Sequence, residues 1–359
     1  MNLEQKSLPL KGAVVGLGKM GLLHSALIEA CPGAKLISVS DPGSSLLRSA
    51  LESFGDGIKA FKSHRDLLTW QKPDFAFIAS PPHTHAEVAL DFLSQGVPIF
   101  VEKPLCDHAS SASKLMSFLR EKKGEVPPVT MVGFMLRHHE VFRRVKALLS
   151  KKVLGRIVSF RGTTYVSQQF KPGKGWKFDP KSSGGGVLIT QGSHLLDLLV
   201  WYFGFPTTVN TRTSAFYSEV VEDFANVLME FPGDVIGSME SSWSVDNHRM
   251  LDTTLEIRGE KGSLHVNDDG LKIFLREENA GFKSGWTFER KVDLFEGASV
   301  DIGGTHYTRQ DESFIHAVRS KTAVECDLFH GYKIQMLIDS IYESAKNKGA
   351  PQNITNDKP

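Results

Sequence analysis

The first third of the chain alternates short apolar runs with amphipathic segments. A continuously apolar run such as Phe75-Ala-Phe-Ile-Ala79 is typical of a strand buried on both faces of a parallel sheet. Between such runs, apolar residues recur at helical spacing. This alternation indicates an α/β domain with a doubly wound parallel sheet, which we place at residues 8–133. The pattern predicts strands near 12–16, 35–40, 74–79, 98–101 and 128–132, and helices near 20–30, 44–54, 84–95 and 108–122.

The pattern changes after about residue 133, where strand-like segments follow one another. Turn signals such as Phe231-Pro-Gly-Asp234 separate them, and short turns between successive strands favour an antiparallel sheet. We therefore predict a second, α+β domain at 134–352, built on an open, mostly antiparallel sheet, and we interpret 276–305 as a loop. The predicted strands lie near 207–217, 222–231, 234–244, 250–258, 262–267 and 271–275, and the helices near 139–150, 186–202, 308–320 and 328–347.

A glycine-rich turn follows the first predicted strand. Gly16, Gly18 and Gly21 have the spacing G-x-G-x-x-G, in which the glycines serve a tight turn, close approach of backbone to a pyrophosphate, and close helix packing. Lys19 and Met20 begin the next helix, whose N-terminal N–H groups and dipole favour phosphate. The segment predicts a dinucleotide-binding Rossmann domain.

An acidic residue ends the second predicted strand. Asp41 follows Gly21 by 20 residues, the spacing expected for a carboxylate that binds the ribose diol of NAD. NADP remains an alternative, because Ser44, Ser45 and Arg48 lie close enough in sequence to accommodate an additional phosphate.

Composition narrows the class of protein. The 359 residues are 41% hydrophobic and 23% charged with a formal net charge of +1, which fits two globular domains without a nucleic-acid-binding surface. Apolar stretches stay shorter than the roughly 18 residues of a membrane span. Three separated cysteines favour a reducing cytoplasm and indicate neither a disulfide framework nor zinc. His83 and His85 lack the further ligands of a metal site, so no metal is expected.

Four further segments, taken with the glycine turn, resemble one family over nearly the whole chain. The resemblance is to the Gfo/Idh/MocA oxidoreductases, named for glucose–fructose oxidoreductase, inositol dehydrogenase and a rhizopine-catabolism protein. It implies hydride transfer between a nicotinamide cofactor and a secondary alcohol or ketone of a sugar, cyclitol or sugar derivative. The segments are Ser80-Pro-Pro-His-Thr-His-Ala-Glu-Val88, Glu102-Lys-Pro104, Gly175-Trp-Lys-Phe-Asp-Pro180 and Gly184-Gly-Gly-Val-Leu-Ile-Thr-Gln-Gly-Ser-His-Leu-Leu-Asp197.

A lysine follows the predicted strand 98–101, at the sheet edge where such folds bind ligands. Lys103 can hydrogen-bond the reacting oxygen and favour its developing negative charge. The alternative is a surface lysine paired with Glu102, and Pro104 permits a cis peptide bond. The resemblance implies that the cofactor is bound by Ser80, Pro81, His85, Glu102 and Lys103.

Three polar residues share one face of the predicted helix 186–202. His194 suits proton exchange with a substrate hydroxyl near neutral pH, and Asp197 can orient its ring or favour its charged form. A buried His–Asp pair with a purely structural role is the alternative. The resemblance implies that His194 accepts the proton. Many members of the family carry aspartate where this chain has Thr190, which we place beside the substrate with His194.

Further candidates and rival functions complete the prediction. The resemblance suggests substrate contacts at Arg137, with an exposed helix start as the alternative. Trp176 offers a flat surface to a sugar ring and Lys177 can reach a hydroxyl, although a packing tryptophan is equally compatible. The rivals are an NAD-retaining glycosidase of the same fold and a regulator that senses a dinucleotide. We expect a homodimer or homotetramer formed through the second-domain sheet.

Overall fold

The computed structural model describes residues 8–54, 57–121 and 127–354. They form two compact units. The first unit comprises the chain up to Gly133 together with Gly297–Tyr332. The second unit comprises Phe134–Glu296 and the chain from Lys333 onward. The return of Gly297–Tyr332 to the first unit was not anticipated in the prediction of one continuous second domain over 134–352.

The elements are numbered in chain order. The strands are β1 Leu10–Val15, β2 Ala34–Ser40, β3 Lys59–Phe61, β4 Phe75–Ile78, β5 Ile99–Val101, β6 Thr130–Val132, β7 Ile157–Tyr165, β8 Thr208–Ser214, β9 Phe224–Phe231, β10 Val235–Ser242, β11 Asp252–Gly259, β12 Gly262–Asn267, β13 Gly270–Leu275, β14 Gly285–Arg290 and β15 Gln352–Asn353. The α-helices are α1 Lys19–Ala30, α2 Ser44–Phe54, α3 His64–Trp70, α4 Pro82–Ser94, α5 Ser113–Glu121, α6 Glu140–Ser150, α7 Pro180–Ser183, α8 Ser193–Phe203, α9 Thr305–Ser320 and α10 Leu328–Lys346. Short 3-10 helices cover Ala109–Ala112, Met135–His138, Trp176–Phe178 and Lys291–Asp293, and a π-helix covers Leu188–Gly192.

The first unit is built on a six-stranded parallel sheet. Its strand order is β3-β2-β1-β4-β5-β6, the order of a Rossmann fold, which confirms the predicted fold class. An aromatic cluster forms its core. The Phe77 ring on β4 stacks on that of Phe100 on β5 at a centroid distance of 4.6 Å, and Phe314 of α9 packs edge-on against Phe77 at 5.3 Å. The fully buried aromatic surface therefore secures α9 to the sheet.

The second unit contains a nine-stranded sheet in the order β14-β13-β12-β11-β7-β10-β9-β8-β15. Its strand pairs are antiparallel except for β7 with β10, which confirms a mostly antiparallel sheet. Alternate residues of β9 and β10 are buried, whereas Leu228 and Ile236 on the opposite face are 44% and 47% exposed.

The interpretation of 276–305 as a loop is wrong. Strand β14 pairs with β13 in this segment, and a 3-10 helix follows it. Its alternating side chains include the exposed Trp286 and Phe288, so the strand lacks the buried apolar row that marks a strand in sequence. The short elements β3 and α3 were also missed. Among the described residues, no helix combines the length and apolar character needed to cross a membrane.

Candidate functional site

The glycine turn between β1 and α1 is tightly packed at two of its three glycines. Gly16 has φ +88°, and a Cβ there would lie 2.5 Å from the backbone nitrogen of Ser80. A Cβ on Gly21 would lie 1.8 Å from the carbonyl oxygen of Gly16. Gly21 therefore brings α1 against the turn itself, while the strand side chain of Val14 is farther away, at 3.6 Å.

Gly18 differs from the other two glycines, because the direction in which a Cβ would project is open. It precedes the first residue of α1 with φ −65°, and a Cβ there would meet no atom within 4 Å among the described residues. Gly18, the N-cap residue, has no side chain that could cap the first N–H groups of the helix, which begins with Lys19 and Met20. This uncapped helix N-terminus beside a bare backbone fits the pyrophosphate of a dinucleotide.

Asp41, at the end of β2, binds backbone on both sides. Its Oδ2 accepts the N–H of Leu17 at 2.8 Å, and its Oδ1 accepts the N–H of Gly43 at 2.7 Å. The carboxylate therefore holds the glycine turn to the second strand and retains lone pairs for a ribose diol, whose binding stays a prediction. Ser44 and Ser45 are exposed on α2, and the side chain of Arg48 lies outside the described residues.

His85 connects two loops at the carboxyl edge of the parallel sheet. Pro81 caps α4, so His85 lies within the first turns of that helix, and its buried ring faces two carbonyl oxygens. Nε2 lies 2.6 Å from the oxygen of Ser80 and Nδ1 2.9 Å from that of Pro104. Burial lowers the pKa of His85, while the two carbonyls oppose that shift. Contact of Ser80, Pro81 or His85 with a cofactor stays a prediction.

The Glu-Lys-Pro segment leaves β5 with its carboxylate turned inward. Glu102 is only 6% exposed, and its Oε2 accepts the backbone N–H of Lys103 at 3.1 Å. Because the Glu102 carboxylate is buried, it is not part of a surface ion pair with Lys103. Lys103 is half-buried, and the Lys103–Pro104 peptide bond is cis.

The other carboxylate oxygen of Glu102, Oε1, contacts His24, a residue that the sequence analysis did not identify. Nε2 of His24, on α1, lies 3.0 Å from Oε1 of Glu102, and Nδ1 lies 2.7 Å from Oδ2 of Asp311 on α9. Burial alone would lower the pKa of His24, but the two carboxylates raise it to about 10. Burial raises the pKa of Asp311, opposed by His24. The sequence signal was a lone histidine on an otherwise apolar helix face, three residues after Gly21.

In the second unit, a π-helix precedes α8 and carries Thr190. The hydroxyl of Thr190 donates to the carbonyl of Gly186 at 2.7 Å, and the buried His194 follows in the first turn of α8. The single predicted helix over 186–202 is therefore two helices of different pitch. Wide turns of this kind often occur at functional sites.

A half-buried glutamate fixes the start of this π-helix. Glu222 Oε2 accepts the N–H of Gly186 at 2.8 Å, and Oε1 accepts the N–H of Leu188 at 3.0 Å and the hydroxyl of Tyr342 at 2.8 Å. Burial raises the pKa of Glu222. Its partners lie 34 to 120 residues away, so the sequence offered no signal for it.

Asp197 has a partner that the helical spacing did not suggest. Arg137, in the 3-10 helix Met135–His138, binds both of its carboxylate oxygens, and both side chains are buried. The guanidinium carbon also lies 5.3 Å from the ring centroid of Trp201 on α8. Arg137 is therefore not an exposed helix start. Its predicted contact with substrate and the orientation of His194 by Asp197 stay predictions.

Trp176 and Lys177 lie on a short 3-10 helix at the surface of the second unit. Trp176 is 41% exposed, so it is not a core packing residue, and Lys177 Nζ lies 5.9 Å from its ring centroid. Among the described residues no group of three His, Cys, Asp or Glu side chains is placed to hold a metal ion.

An uncapped glycine turn on a six-stranded parallel sheet and a second unit with a large open sheet define a dinucleotide-binding protein of the dehydrogenase type. Residues 10–128 match a family model described as an oxidoreductase family with an NAD-binding Rossmann fold. Residues 142–265 match the GFO/IDH/MocA C-terminal domain. The chain belongs to the Gfo/Idh/MocA family of oxidoreductases, which confirms the resemblance, the enzyme class and the NAD-binding domain.

Characterised relatives align over most of the chain. A levoglucosan dehydrogenase of Pseudarthrobacter phenanthrenivorans is 24% identical over 94% of this chain and 96% of its own. An inositol 2-dehydrogenase of Rubrobacter xylanophilus is 26% identical over 95% and 92% of the two chains. A scyllo-inositol 2-dehydrogenase (NAD(+)) of Bacillus subtilis is 28% identical over 84% and 82%.

A solved structure has the same fold. It is a levoglucosan dehydrogenase in complex with NADH and levoglucosan, with a TM-score of 0.84 at 23% identity, covering 97% of this chain and 100% of that chain.

Proposed function

We propose that this protein transfers a hydride between a nicotinamide cofactor and a secondary alcohol or ketone of a sugar, cyclitol or sugar derivative. The observation that carries the proposal is the position of Lys103 directly after β5, on the sheet whose first turn presents the open side of Gly18. Support for the substrate class comes from relatives named as levoglucosan and inositol dehydrogenases.

The cofactor would be held by the glycine turn and the uncapped start of α1, with Asp41 toward the ribose. When bound, a nicotinamide accepts or donates the hydride. We propose NAD over NADP because the carboxylate of Asp41 disfavours an additional phosphate. Fluorescence titrations with NADH and NADPH test this, and tighter binding of NADPH would contradict it.

The chain's own part in the reaction is to position the substrate and to move a proton. Lys103 would hold the reacting oxygen through its ammonium and stabilise negative charge on it. His194 would take the hydroxyl proton at an imidazole nitrogen during oxidation and return it during reduction. Thr190, with its proton donated to Gly186, would offer its oxygen as a hydrogen-bond acceptor to the substrate.

The first test is NADH absorbance with a panel of levoglucosan, inositols and common sugars. Turnover of at least one compound is expected. Cofactor binding without net redox change on any compound contradicts the proposal. Release of a sugar from glycosides would then favour an NAD-retaining glycosidase, and a regulator would show neither activity.

Two neutral variants then test the roles of the side chains. K103M and H194Q should each lower kcat by about 100-fold or more, with NADH affinity nearly unchanged. K72M, which removes an exposed lysine of the first unit, is the matched control and should keep full activity. A kcat within a few-fold of wild type in K103M or H194Q would remove that residue from the mechanism.

We also propose that the exposed face of the nine-stranded sheet forms a homodimer or homotetramer in the cytoplasm. Leu228, Ile236, Trp286 and Phe288 share one face by strand register. Each is 44 to 62% exposed, and a second copy packed on this face would cover these apolar side chains. All three cysteines are buried, which fits a reducing compartment.

Light scattering of I236E and F288E tests the sheet interface. Both variants should move a wild-type oligomer toward monomer, whereas M250E, which changes an exposed apolar residue outside the strands, should not. A wild-type monomer at micromolar concentration would contradict the assembly.

A further inference from the structure

The segment Gly297–Tyr332, which we call the returning segment, brings a tyrosine into the first unit. It packs with the parallel sheet although it follows β14 in sequence, and it contains all of α9. Tyr307 lies in the first turn of that helix and is half-buried. The predicted cofactor residues all come from the N-terminal part of the chain, so this tyrosine is not one of them.

The contacts along α9 show how it runs over the sheet. Near its C-terminal end, Arg319 Nη2 donates to the carbonyl oxygen of Gly33 at 2.6 Å, directly before β2. Near its middle, Asp311 Oδ2 lies 2.7 Å from Nδ1 of His24. Because β2 starts at the amino edge of the parallel sheet, α9 runs alongside α1 from the carboxyl edge to the amino edge. Tyr307, at the opposite end of α9 from Arg319, therefore lies toward the carboxyl edge.

Tyr307 lies near the first turns of α1 and the end of β5. A Cβ on Gly303 would lie 3.4 Å from Cδ1 of Leu23 on α1 and 3.8 Å from Cδ2 of the Tyr307 ring. Burial raises the pKa of the Tyr307 hydroxyl, and the nearby carboxylates of Glu102 and Asp311 raise it further. The hydroxyl is therefore protonated at neutral pH and can donate a hydrogen bond.

This hydroxyl has no hydrogen-bond partner among the residues that the structure describes, although two carboxylates lie near it. Each carboxylate oxygen already meets another polar group. His24 contacts Oε1 of Glu102 and Oδ2 of Asp311, and we call these three residues the His24 cluster. The backbone N–H of Lys103 donates to Oε2 of Glu102, and Nε2 of Gln310 lies 3.4 Å from Oδ1 of Asp311. The hydroxyl is thus left to bind a further acceptor.

The position of the hydroxyl corresponds to one half of a bound dinucleotide. In a Rossmann fold the pyrophosphate lies at the turn before the first helix, and the ligand crosses the carboxyl edge of the sheet. Asp41, which we assign to the adenosine ribose, follows β2 on one side of β1, whereas Glu102 follows β5 on the other side. The part of the cofactor on the Tyr307 side of the turn is therefore the ribose phosphate that carries the nicotinamide.

We propose that Tyr307 is a cofactor-binding residue, whose hydroxyl donates a hydrogen bond to an oxygen of the ribose phosphate that carries the nicotinamide. Helix α9 then completes a cofactor site that the glycine turn begins at the other end of the chain. The inference rests on the cofactor placement in the proposed function and not on the redox step, so that binding measurements test it without any substrate.

The test is isothermal titration calorimetry of wild type and Y307F with three ligands. NADH and ADP-ribose both contain the second ribose phosphate, whereas AMP contains only the adenosine half. Y307F should weaken the binding of NADH and ADP-ribose by about three- to tenfold, the effect of one hydrogen bond, and leave AMP binding unchanged. Its thermal midpoint should equal that of wild type, because the lost hydroxyl binds no described residue.

Y332F is the matched control. Tyr332 is the other tyrosine of the returning segment and is also half-buried, but it lies on α10. Y332F should bind all three ligands like wild type. The inference is overturned by unchanged affinities in Y307F, by an equal loss for AMP, by a loss confined to NADH, or by equal losses in Y332F. A wild-type protein that binds neither NADH nor ADP-ribose would instead reject the cofactor placement itself, and the role of Tyr307 with it.

Discussion

Arg137 donates two hydrogen bonds to the carboxylate of Asp197, from Nε to Oδ2 at 2.7 Å and from Nη2 to Oδ1 at 2.8 Å. Both side chains are buried, and the pair joins the 3-10 helix Met135–His138 to α8. Asp197 follows His194 by three residues on that helix, so the pair fixes the face that carries the proposed proton acceptor.

Breaking this pair on one side should be costly. D197N leaves the guanidinium of Arg137 buried without its counter-charge, and we expect it to lower the free energy of unfolding by about 3 kcal/mol. Urea denaturation measures the loss. E289Q is the matched control, because Glu289 binds Arg144 in the same bidentate manner at a more exposed place, and it should cost about 1 kcal/mol or less. If D197N and E289Q lost equal free energy of unfolding, burial would not be what makes the Arg137–Asp197 pair costly to break.

The fold was predictable wherever a local pattern carries it. Continuously apolar strands and helical spacing indicated the parallel sheet, and the glycine spacing placed the turn between β1 and α1. Strand β14 was missed because Gly285–Arg290 is an edge strand whose Trp286 and Phe288 face outward. Because β14 has no row of buried apolar side chains, its strand conformation is seen only in its pairing with β13.

Candidate site residues stand out in the sequence where they lie in motifs, whereas the residues that hold those motifs in place do not. Lys103 and His194 stand out by position and chemistry. His24 contacts Glu102 and Asp311, which lie 78 and 287 residues away, and Glu222 accepts backbone N–H groups 34 and 36 residues away. These contacts depend on the tertiary fold, and a short window of sequence carries no information about them.

The three glycines of the turn should respond differently to alanine. In G18A the added Cβ points into open space at an ordinary φ, so stability should change by less than about 0.5 kcal/mol. NADH affinity should fall about tenfold or more, since the methyl occupies the space offered to the pyrophosphate. G16A and G21A should instead unfold at lower temperature, because each Cβ would meet backbone atoms. Thermal melting and NADH titration of all three separate the effects, and a G18A protein that binds NADH like wild type would refute this assignment of the phosphate site.

The His24 cluster should make stability depend on alkaline pH. The pKa of His24 is raised from 6.5 to about 10 in the folded protein, so its contribution is fully present below pH 6.5 and is lost as the pH rises toward 10. Between pH 7 and 9 the free energy of unfolding should fall by about 2 kcal/mol more in wild type than in H24Q. This window avoids Cys31, whose pKa burial raises to about 11. Urea denaturation at both pH values measures the difference, H64Q should behave like wild type, and parallel curves for wild type and H24Q would show that His24 is not charged.

Glu222 provides the corresponding test in the second unit. E222Q replaces one acceptor oxygen by an NH2 group, which would face the N–H of Gly186, or the N–H of Leu188 together with the Tyr342 hydroxyl. We expect a loss of about 1 to 3 kcal/mol in stability at neutral pH and a lower kcat, because the segment that carries Thr190 loses its anchor. NADH affinity should hold, since the glycine turn belongs to the first unit.

The pH dependence of the E222Q difference has a definite sign. The folded-state pKa of Glu222 is raised above 4.5, so wild type loses stability relative to E222Q as the pH rises from about 4.5 through that raised value. Y342F is the matched control, because it removes one hydrogen bond to the same carboxylate and leaves both backbone contacts in place. It should therefore lower kcat less than E222Q does. If E222Q loses NADH affinity and keeps kcat, Glu222 does not act by anchoring the π-helix.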